Sequence, residues 1–158
     1  TLVAEIAAFA KDNSKSVYQL LEDIYLKYGY SKEEGVSLVR EGKEGADEIE
    51  AMMKNYRTNP PMSLGGSPVT YIKDFVKLEA TDRVRKEQVA LEMPTTSNVL
   101  QYFTEDGTKL SIRPSGTEPK IKFYIEVKGG QVKTREELEQ AEKIASDKVS
   151  KIREELGI

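Results

Sequence analysis

Two runs of alternating apolar and polar residues, joined by a short segment with a proline at each end, constrain the fold more than any other feature. The runs are Lys109–Arg113 and Lys120–Lys128, and the segment between them reads Pro-Ser-Gly-Thr-Glu-Pro. A period of two places every second side chain on the same face of a strand, so both runs predict strands with one buried face. Each proline favours extended geometry in the residue before it, which confines the turn to the small residues in the middle.

A second turn lies just before the first of these runs. Asn98–Thr104 and Lys109–Arg113 flank an Asp106-Gly107 pair, and Asp-Gly between two alternating runs is a strong signal for a β-hairpin. An isolated Asp-Gly is a turn far more often than a metal site, so we assign it no metal. The hairpin delivers Arg113 to the end of its second strand, on the polar face.

Apolar spacing and capping residues predict the other elements. Helices are expected at residues 2–10 and 17–28, the second opened by a Ser16–Gln19 capping box and ended by Gly29, and again at 44–57 and from Thr134 onwards. Between the helices, the sequence predicts a polar linker at 31–35 and a short strand after it. It also predicts a strand covered on both faces at 67–79 and a solvated charged loop at 81–87. The fold class is therefore α+β, a mostly antiparallel sheet with helices on one face. We expect the apolar stripes of the first two helices to face a core.

The composition excludes several kinds of chemistry. The 158 residues include no cysteine and no histidine, which excludes disulfides, thiol catalysis, histidine bases and most zinc sites from this chain. The net charge of −3 argues against a dedicated nucleic-acid binder. No apolar run reaches the ~20 residues that a membrane helix needs. We therefore expect neither nucleic acid nor membrane as a partner.

The segment between the two prolines has the composition of an anion-binding loop. Four basic residues and one acid lie between Lys109 and Lys122, a local excess of +3 in a chain of net charge −3. A glycine there can adopt positive φ and lets backbone N–H groups converge on an anion, while hydroxyls, an arginine fork and lysines add donors and charge. The candidate phosphate-binding residues are Arg113, Ser115, Gly116, Thr117, Lys120 and Lys122. A strand follows the loop, so no helix dipole is expected to assist it.

Three other interpretations of this loop remain open. It could be an ordinary connection between strands, with lysines that keep a sheet edge soluble, or the vestigial loop of a scaffold domain. It could also belong to a stand-alone module that binds nucleic acid or another anion on its basic strand face, although Tyr124 is the main aromatic residue available for base stacking there. The spacing Gly-x-x-x-x-Gly-Lys-[Ser/Thr] is absent, so the loop is not a nucleotide P-loop.

Residues 113–124, which read RPSGTEPKIKFY, resemble the phosphate-binding loop in the last domain of the alpha-D-phosphohexomutase superfamily, and most of all its phosphoglucomutase and phosphomannomutase members. The resemblance extends more weakly over nearly the whole chain. It implies a C-terminal domain similar to the TATA-binding-protein fold over residues 31–158. Residues 1–30 would then be the helical tail of a preceding, third α/β domain.

The resemblance also implies a function. Such enzymes interconvert hexose 1-phosphates and 6-phosphates through a phosphoserine and a hexose bisphosphate intermediate, in the cytoplasm and with Mg²⁺. Arg113, Ser115, Gly116 and Thr117 match the residues that hold the phosphate that is not transferred, and Lys122 stands where many members have a second basic residue. The family's serine loop, magnesium loop and sugar-reading loop are absent from this sequence. We therefore expect no catalytic and no metal-binding residue in this chain, which would need the upstream domains and a phosphosugar substrate as partners. The sequence does not indicate which sugar.

Overall fold

In a computed structural model that describes every residue from Thr1 to Ile158, the chain forms four helices and eight strands. The helices are α1 (Leu2–Asp12), α2 (Val17–Tyr28), α3 (Gly42–Thr58) and α4 (Arg135–Leu156). The strands are β1 (Tyr30–Val39), β2 (Ser63–Leu64), β3 (Ser67–Asp74), β4 (Glu79–Asp82), β5 (Glu87–Ala90), β6 (Leu100–Thr104), β7 (Lys109–Pro114) and β8 (Lys120–Gly130). No helix combines the length and the apolar character needed to cross a membrane.

The strands form one sheet in the order β1-β8-β7-β6-β3-β4-β5, and β2 pairs with β3. The neighbouring pairs from β8 to β5 are antiparallel. Two compact units can be distinguished: Thr1–Lys32 with Lys128–Asp147, and Glu33–Val127 with Lys148–Ile158. The predicted α+β class, a mostly antiparallel sheet flanked by helices, is confirmed. The assignment of residues 1–30 and 31–158 to two mutase domains stays a prediction.

The core of the second unit lies on one face of the central strands. Burial alternates along β7 and β8 as predicted, and the buried side chains are Leu110, Ile112, Ile121, Phe123, Ile125 and Val127. Helix α3 covers this face: the Tyr56 ring meets Phe123 edge-on at 6.0 Å between centroids, and the Tyr102 hydroxyl donates to the Tyr56 carbonyl at 2.9 Å. The polar residues between the buried ones, Arg113 and Lys122 among them, therefore lie on the opposite face of the sheet.

The predicted turn at Asp106-Gly107 is confirmed. Gly107 has φ +82°, which only glycine adopts without strain. The Asp106 carboxylate accepts hydrogen bonds from the Thr104 hydroxyl at 2.6 Å and from the Thr108 N–H at 3.2 Å, and it forms an ion pair with Lys148 of α4. Asp106 therefore closes the turn and ties it to α4.

Three of the predictions for the middle of the chain need correction. The polar segment 31–35 belongs to β1, the first strand in the sheet order, where charged side chains suit an edge. The strand expected at 67–79 ends at Asp74, because its carboxylate accepts the Val76 N–H at 3.0 Å and turns the chain towards Leu78, which has φ +54°. The loop expected at 81–87 is shorter, a turn at 83–86 in the β4–β5 hairpin, where the Asp82 carboxylate accepts two backbone N–H groups at 2.9 Å.

In the first unit, the Ser16–Gln19 capping box and the Gly29 stop are both confirmed. The Tyr25 and Tyr30 rings meet edge-on at 4.9 Å, and Arg135 forms an ion pair with Glu22 at 3.3 Å. The expectation that the apolar stripes of α1 and α2 face a core was wrong: Ala10 is the only buried residue of the two helices. Large apolar side chains such as Val3, Phe9 and Tyr18 are more than half exposed, because nothing in the chain covers them.

Candidate functional site

The five residues 115–119 connect the ends of β7 and β8 in a turn that the backbone closes. Arg113 pairs with Lys122 across the two strands, and Pro114 pairs with Ile121. Within the turn, the Ser115 N–H donates to the Lys120 carbonyl at 2.6 Å, and the Lys120 N–H donates to the Glu118 carbonyl at 2.7 Å. The loop is therefore held at its base by the sheet.

The tip of this loop offers backbone donors. The Gly116 N–H makes no hydrogen bond within the protein. The N–H groups of Thr117 and Glu118 make only long hydrogen bonds, 3.5 and 3.4 Å, to the Ser115 hydroxyl. Three successive N–H groups are thus free or weakly bonded, and such groups at a turn form a site suited to an anion.

The expectation that the glycine at position 116 supplies a positive φ was wrong. Gly116 does not have positive φ, so its backbone is one that other residues adopt. A Cβ atom built there would meet no atom within 4 Å. The space beside the Gly116 backbone is therefore open, and a ligand can approach the N–H group without meeting a side chain.

The three predicted cations differ in their availability. Arg113 and Lys122 form no ion pair and no side-chain hydrogen bond, and Arg113 is exposed. Lys120 forms an ion pair with Glu118 of the same loop at 2.6 Å. This hydrogen bond from the Lys120 ammonium, reinforced by its charge, holds the pKa of the Glu118 carboxyl below its usual value. Two of the three cations are therefore free to bind an anion, and the third is partly neutralised.

A cleft of about 510 Å³ opens on the α3 side of the loop. Its walls include Ser115, Gly116 and Thr117, whereas Arg113, Lys120 and Lys122 do not line it. The opposite wall comes from one side of α3 and from the segment before β6, through Gly42, Ala46, Ile49, Glu50, Met53 and Asn98. The loop thus lies between a free pair of cations on one face of the sheet and an open cleft on the other.

Sequence reasoning missed the contribution of α3 to this cleft. The Arg40 N–H donates to the Pro119 carbonyl at 2.9 Å, which holds the chain just before α3 against the loop. Gly45 permits the tight turn into the helix, since a Cβ there would lie 2.6 Å from the Cβ of Arg40. As a result Gly42, the first residue of α3, borders the cleft, although we had expected no helix at the loop. Only tertiary structure brings these segments together.

The antiparallel α+β fold and a loop with unpaired donors define the class of domain, and comparison with known proteins gives its family. The family model for the phosphoglucomutase/phosphomannomutase C-terminal domain matches residues 38–144, more than half of the chain. The chain belongs to this family, as the resemblance of residues 113–124 implied.

Curated proteins that are similar in sequence support the same family assignment. A phosphoglucomutase of Staphylococcus haemolyticus is 31% identical over 124 residues, which cover 78% of this chain and 22% of that protein. A phosphoglucomutase of Staphylococcus aureus strain MRSA252 is 34% identical over 127 residues, 80% of this chain and 23% of that protein. The chain therefore spans less than a quarter of the length of these relatives. Among solved structures, the open form of pp63/parafusin, a phosphoglucomutase from Paramecium, aligns with 94% of this chain and 25% of that one, at 16% identity and a TM-score of 0.40.

Proposed function

We propose that this chain is the substrate-phosphate-binding part of a larger phosphohexomutase, which interconverts hexose 1-phosphate and hexose 6-phosphate. The observation that carries the proposal is the set of unsatisfied donors at the β7–β8 loop. Arg113 and Lys122 form no ion pair where they pair across the strands at the base of the loop, and the Gly116 N–H at its tip makes no hydrogen bond within the protein. The relatives are named phosphoglucomutase, and the chain spans a fraction of their length, so the activity belongs to the larger protein.

The loop would hold the phosphate that is not transferred. The Arg113 guanidinium suits bidentate contact with two phosphate oxygens, and Lys122 adds a point charge. The hydroxyls of Ser115 and Thr117 and the N–H groups of the tip supply further hydrogen bonds. Such a grip fixes the sugar so that its other end meets the reactive group, and positioning of this kind is a large part of catalysis in phosphoryl transfer.

This arrangement also suits a bisphosphate intermediate that must reverse its orientation in the site between two steps. The loop donors contact phosphate oxygens and read no feature of a sugar ring. A hexose bisphosphate could therefore present either of its phosphates to the same residues. Donors supplied largely by the backbone and by one arginine guanidinium would hold both orientations equally well.

The remaining machinery would lie outside this chain. No three acidic side chains cluster in a way that could hold a metal, so the residues present do not fit the Mg²⁺ site that the family implies. We assign the phosphoserine, the Mg²⁺ site and the sugar-reading loop to upstream domains of the same cytoplasmic enzyme, with residues 1–30 as the tail of the third domain and residues 31–158 as the fourth. The 158-residue chain alone should then show no mutase activity, and metal-dependent conversion of glucose 1-phosphate by the purified chain would contradict this.

We favour a phosphosugar over nucleic acid as the ligand because the basic face is small. Lys109 forms an ion pair with Glu126, and Lys120 forms one with Glu118. These pairs neutralise two basic residues along the strands and leave Arg113 and Lys122 at the loop. A nucleic-acid site needs a longer stripe of free cations to follow the backbone of the polymer.

Titration of the ¹⁵N-labelled chain with glucose 1-phosphate tests the proposal. We expect the amide signals of Gly116 and Thr117 to shift saturably, and inorganic phosphate to shift the same signals. Arg113→Ala should weaken both titrations by about 10-fold or more, since a hydrogen bond to a charged group contributes roughly 1.5–3 kcal/mol. Single-stranded DNA serves as the competing probe. Tighter binding of DNA than of glucose 1-phosphate, with a steep dependence on salt, would contradict the proposal.

A further inference from the structure

One polar side chain in the wall of the cleft has a free donor and a fixed orientation. Asn98 lies two residues before Leu100, which pairs with Ile112, so Asn98 is level with Pro114 at the start of the loop. It lines the cleft together with Ser115, Gly116 and Thr117. Its side-chain carbonyl accepts a hydrogen bond from the Arg57 guanidinium at 2.7 Å.

This hydrogen bond determines which end of the Asn98 amide faces Arg57. A guanidinium is a donor only, so the oxygen of the amide must face Arg57 and the NH₂ group must point away from it. The NH₂ group makes no hydrogen bond within the protein.

Arg57 is in turn fixed by a buried partner. Its Nε donates to the Asp74 carboxylate at 3.0 Å, and only 10% of the Asp74 side chain and 19% of the Arg57 side chain are exposed. The other Asp74 oxygen accepts the Val76 N–H at 3.0 Å. A chain of hydrogen bonds therefore runs from the core through Arg57 to Asn98, and it leaves two N–H donors of this cleft-lining residue without a partner in the protein.

We infer that Asn98 contacts the sugar of a phosphosugar whose phosphate is held by the β7–β8 loop. The inference rests on the function proposed above. The cleft of about 510 Å³ lies within the range of roughly 300–1,000 Å³ that is usual for small-ligand sites, and it is far larger than a phosphate group alone requires. Because Ser115, Gly116 and Thr117 border it, a phosphate bound by the N–H groups at the tip of the loop has the sugar attached to it at the mouth of the cleft. There the Asn98 NH₂ group donates to a ring or hydroxyl oxygen.

The test compares two probes, glucose 1-phosphate and inorganic phosphate, on four forms of the chain. The forms are wild type, Asn98→Ala, Arg113→Ala and Ser97→Ala. Ser97 is the matched control, because it is the exposed neighbour of Asn98 and its side chain makes no hydrogen bond and does not line the cleft.

Asn98→Ala should weaken glucose 1-phosphate binding by about 3- to 10-fold, the range for loss of one hydrogen bond between neutral groups. It should leave the dissociation constant of inorganic phosphate unchanged. In wild type, the Asn98 NH₂ signals should shift with glucose 1-phosphate and stay in place with inorganic phosphate, which a purely structural role of Asn98 would not produce. Ser97→Ala should behave as wild type with both probes.

The remaining outcomes separate the two proposals. Equal losses for both probes in Asn98→Ala would place Asn98 on the phosphate and overturn its assignment to the sugar. No loss with either probe, with the Asn98 NH₂ signals unmoved, would overturn the inference while a loss in Arg113→Ala still supports the phosphate loop. A loss in Asn98→Ala with normal binding by Arg113→Ala would overturn the function proposed for the loop. Failure of wild type to bind either probe would contradict both.

Discussion

Arg113 and Lys122 face each other as partners on the adjacent strands β7 and β8, and neither forms an ion pair. Like charges directly opposite each other on a sheet are destabilising. The fold therefore keeps two cations together at a cost, and a bound phosphate would relieve their repulsion. This relationship is a physical reason to place the anion at the loop.

Removing one charge of this pair should not destabilise the domain. We expect Lys122→Gln to leave the free energy of unfolding unchanged or to raise it by up to about 1 kcal/mol, the size of a cross-strand charge interaction. Any gain in stability should be smaller in high salt, since salt screens exposed charges. Thermal melting at two salt concentrations measures this difference in stability.

Lys109→Gln is the matched control for this measurement. It removes a cation from the same face of β7, but that cation is paired with Glu126, whose side chain is only 15% exposed. It should therefore lower the melting temperature. If the melting temperature of Lys122→Gln fell as much as that of Lys109→Gln, Lys122 would stabilise the fold. That result would contradict the assignment of its charge to ligand binding.

Glu118 should weaken anion binding through its ion pair with Lys120. Glu118→Gln removes a negative charge from the loop and frees the Lys120 ammonium. We expect it to tighten binding of inorganic phosphate several-fold at low salt, with a smaller gain at high salt. If Glu118→Gln instead binds phosphate more weakly than wild type, the carboxylate orients Lys120 for the ligand rather than competing with it. The dissociation constants from titration decide between these results.

The turn at Asp106 should make stability depend on pH in the acid range. Desolvation raises the pKa of the Asp106 carboxyl, but hydrogen bonds from Lys148 and Thr104 and from the Thr108 N–H outweigh it and hold the pKa well below its usual value. A depressed folded-state pKa contributes stability that is complete above the unfolded pKa of about 3.9 and is lost as the pH falls below it. Asp106→Asn should therefore reduce stability near neutral pH and flatten its dependence on pH below about 4.

The contribution of Asp106 is limited because 48% of its side chain is exposed and solvent screens the ion pair. Denaturant unfolding at several pH values measures the effect. Lys15→Gln breaks an ion pair with Asp23 in which both side chains are exposed, and it serves as the comparison. The prediction would be contradicted if the free energy of unfolding changed equally for wild type and Asp106→Asn as the pH falls from neutral to below about 4.

The helices α1 and α2 should be the least protected part of the chain when it is studied alone. Their apolar side chains are largely exposed, and regions with few buried apolar contacts open easily. We expect their amides to exchange with solvent faster than those of β8, unless a second copy covers the apolar side. Hydrogen exchange together with a measurement of molecular mass tests this. Exchange as slow as that of residues 121–127 in a strict monomer would contradict it.

The sequence predicted the central strands and the loop because strong local signals determine them. Asp106-Gly107, the alternation on either side of 114–119 and the capping box at Ser16 all act within a few residues. The first half of β1 and the strands β4 and β5 escaped prediction because their charged residues resemble those of loops. The cleft escaped because it needs Gly42 and Asn98 beside Ser115, and no local pattern brings together residues so far apart in the chain. The register between β6 and β7 places Asn98 level with the start of the loop, and the sequence alone does not give that register.

The most direct test of the role proposed for the β7–β8 loop is the steady-state kinetics of Arg113 variants in the larger phosphohexomutase proposed above, measured beside thermal melting. Arg113→Ala should lower kcat/KM by about 10- to 150-fold, since a charge-assisted hydrogen bond contributes roughly 1.5–3 kcal/mol. Arg113→Lys should recover part of this loss, because lysine restores the charge without the bidentate geometry. Arg113→Lys should melt as wild type and Arg113→Ala at or slightly above it, since the Arg113 side chain is exposed, forms no ion pair and lies opposite Lys122. Normal turnover by Arg113→Ala with normal melting would contradict the phosphate-binding role of the loop, and a large fall in its melting temperature would make the role of Arg113 structural.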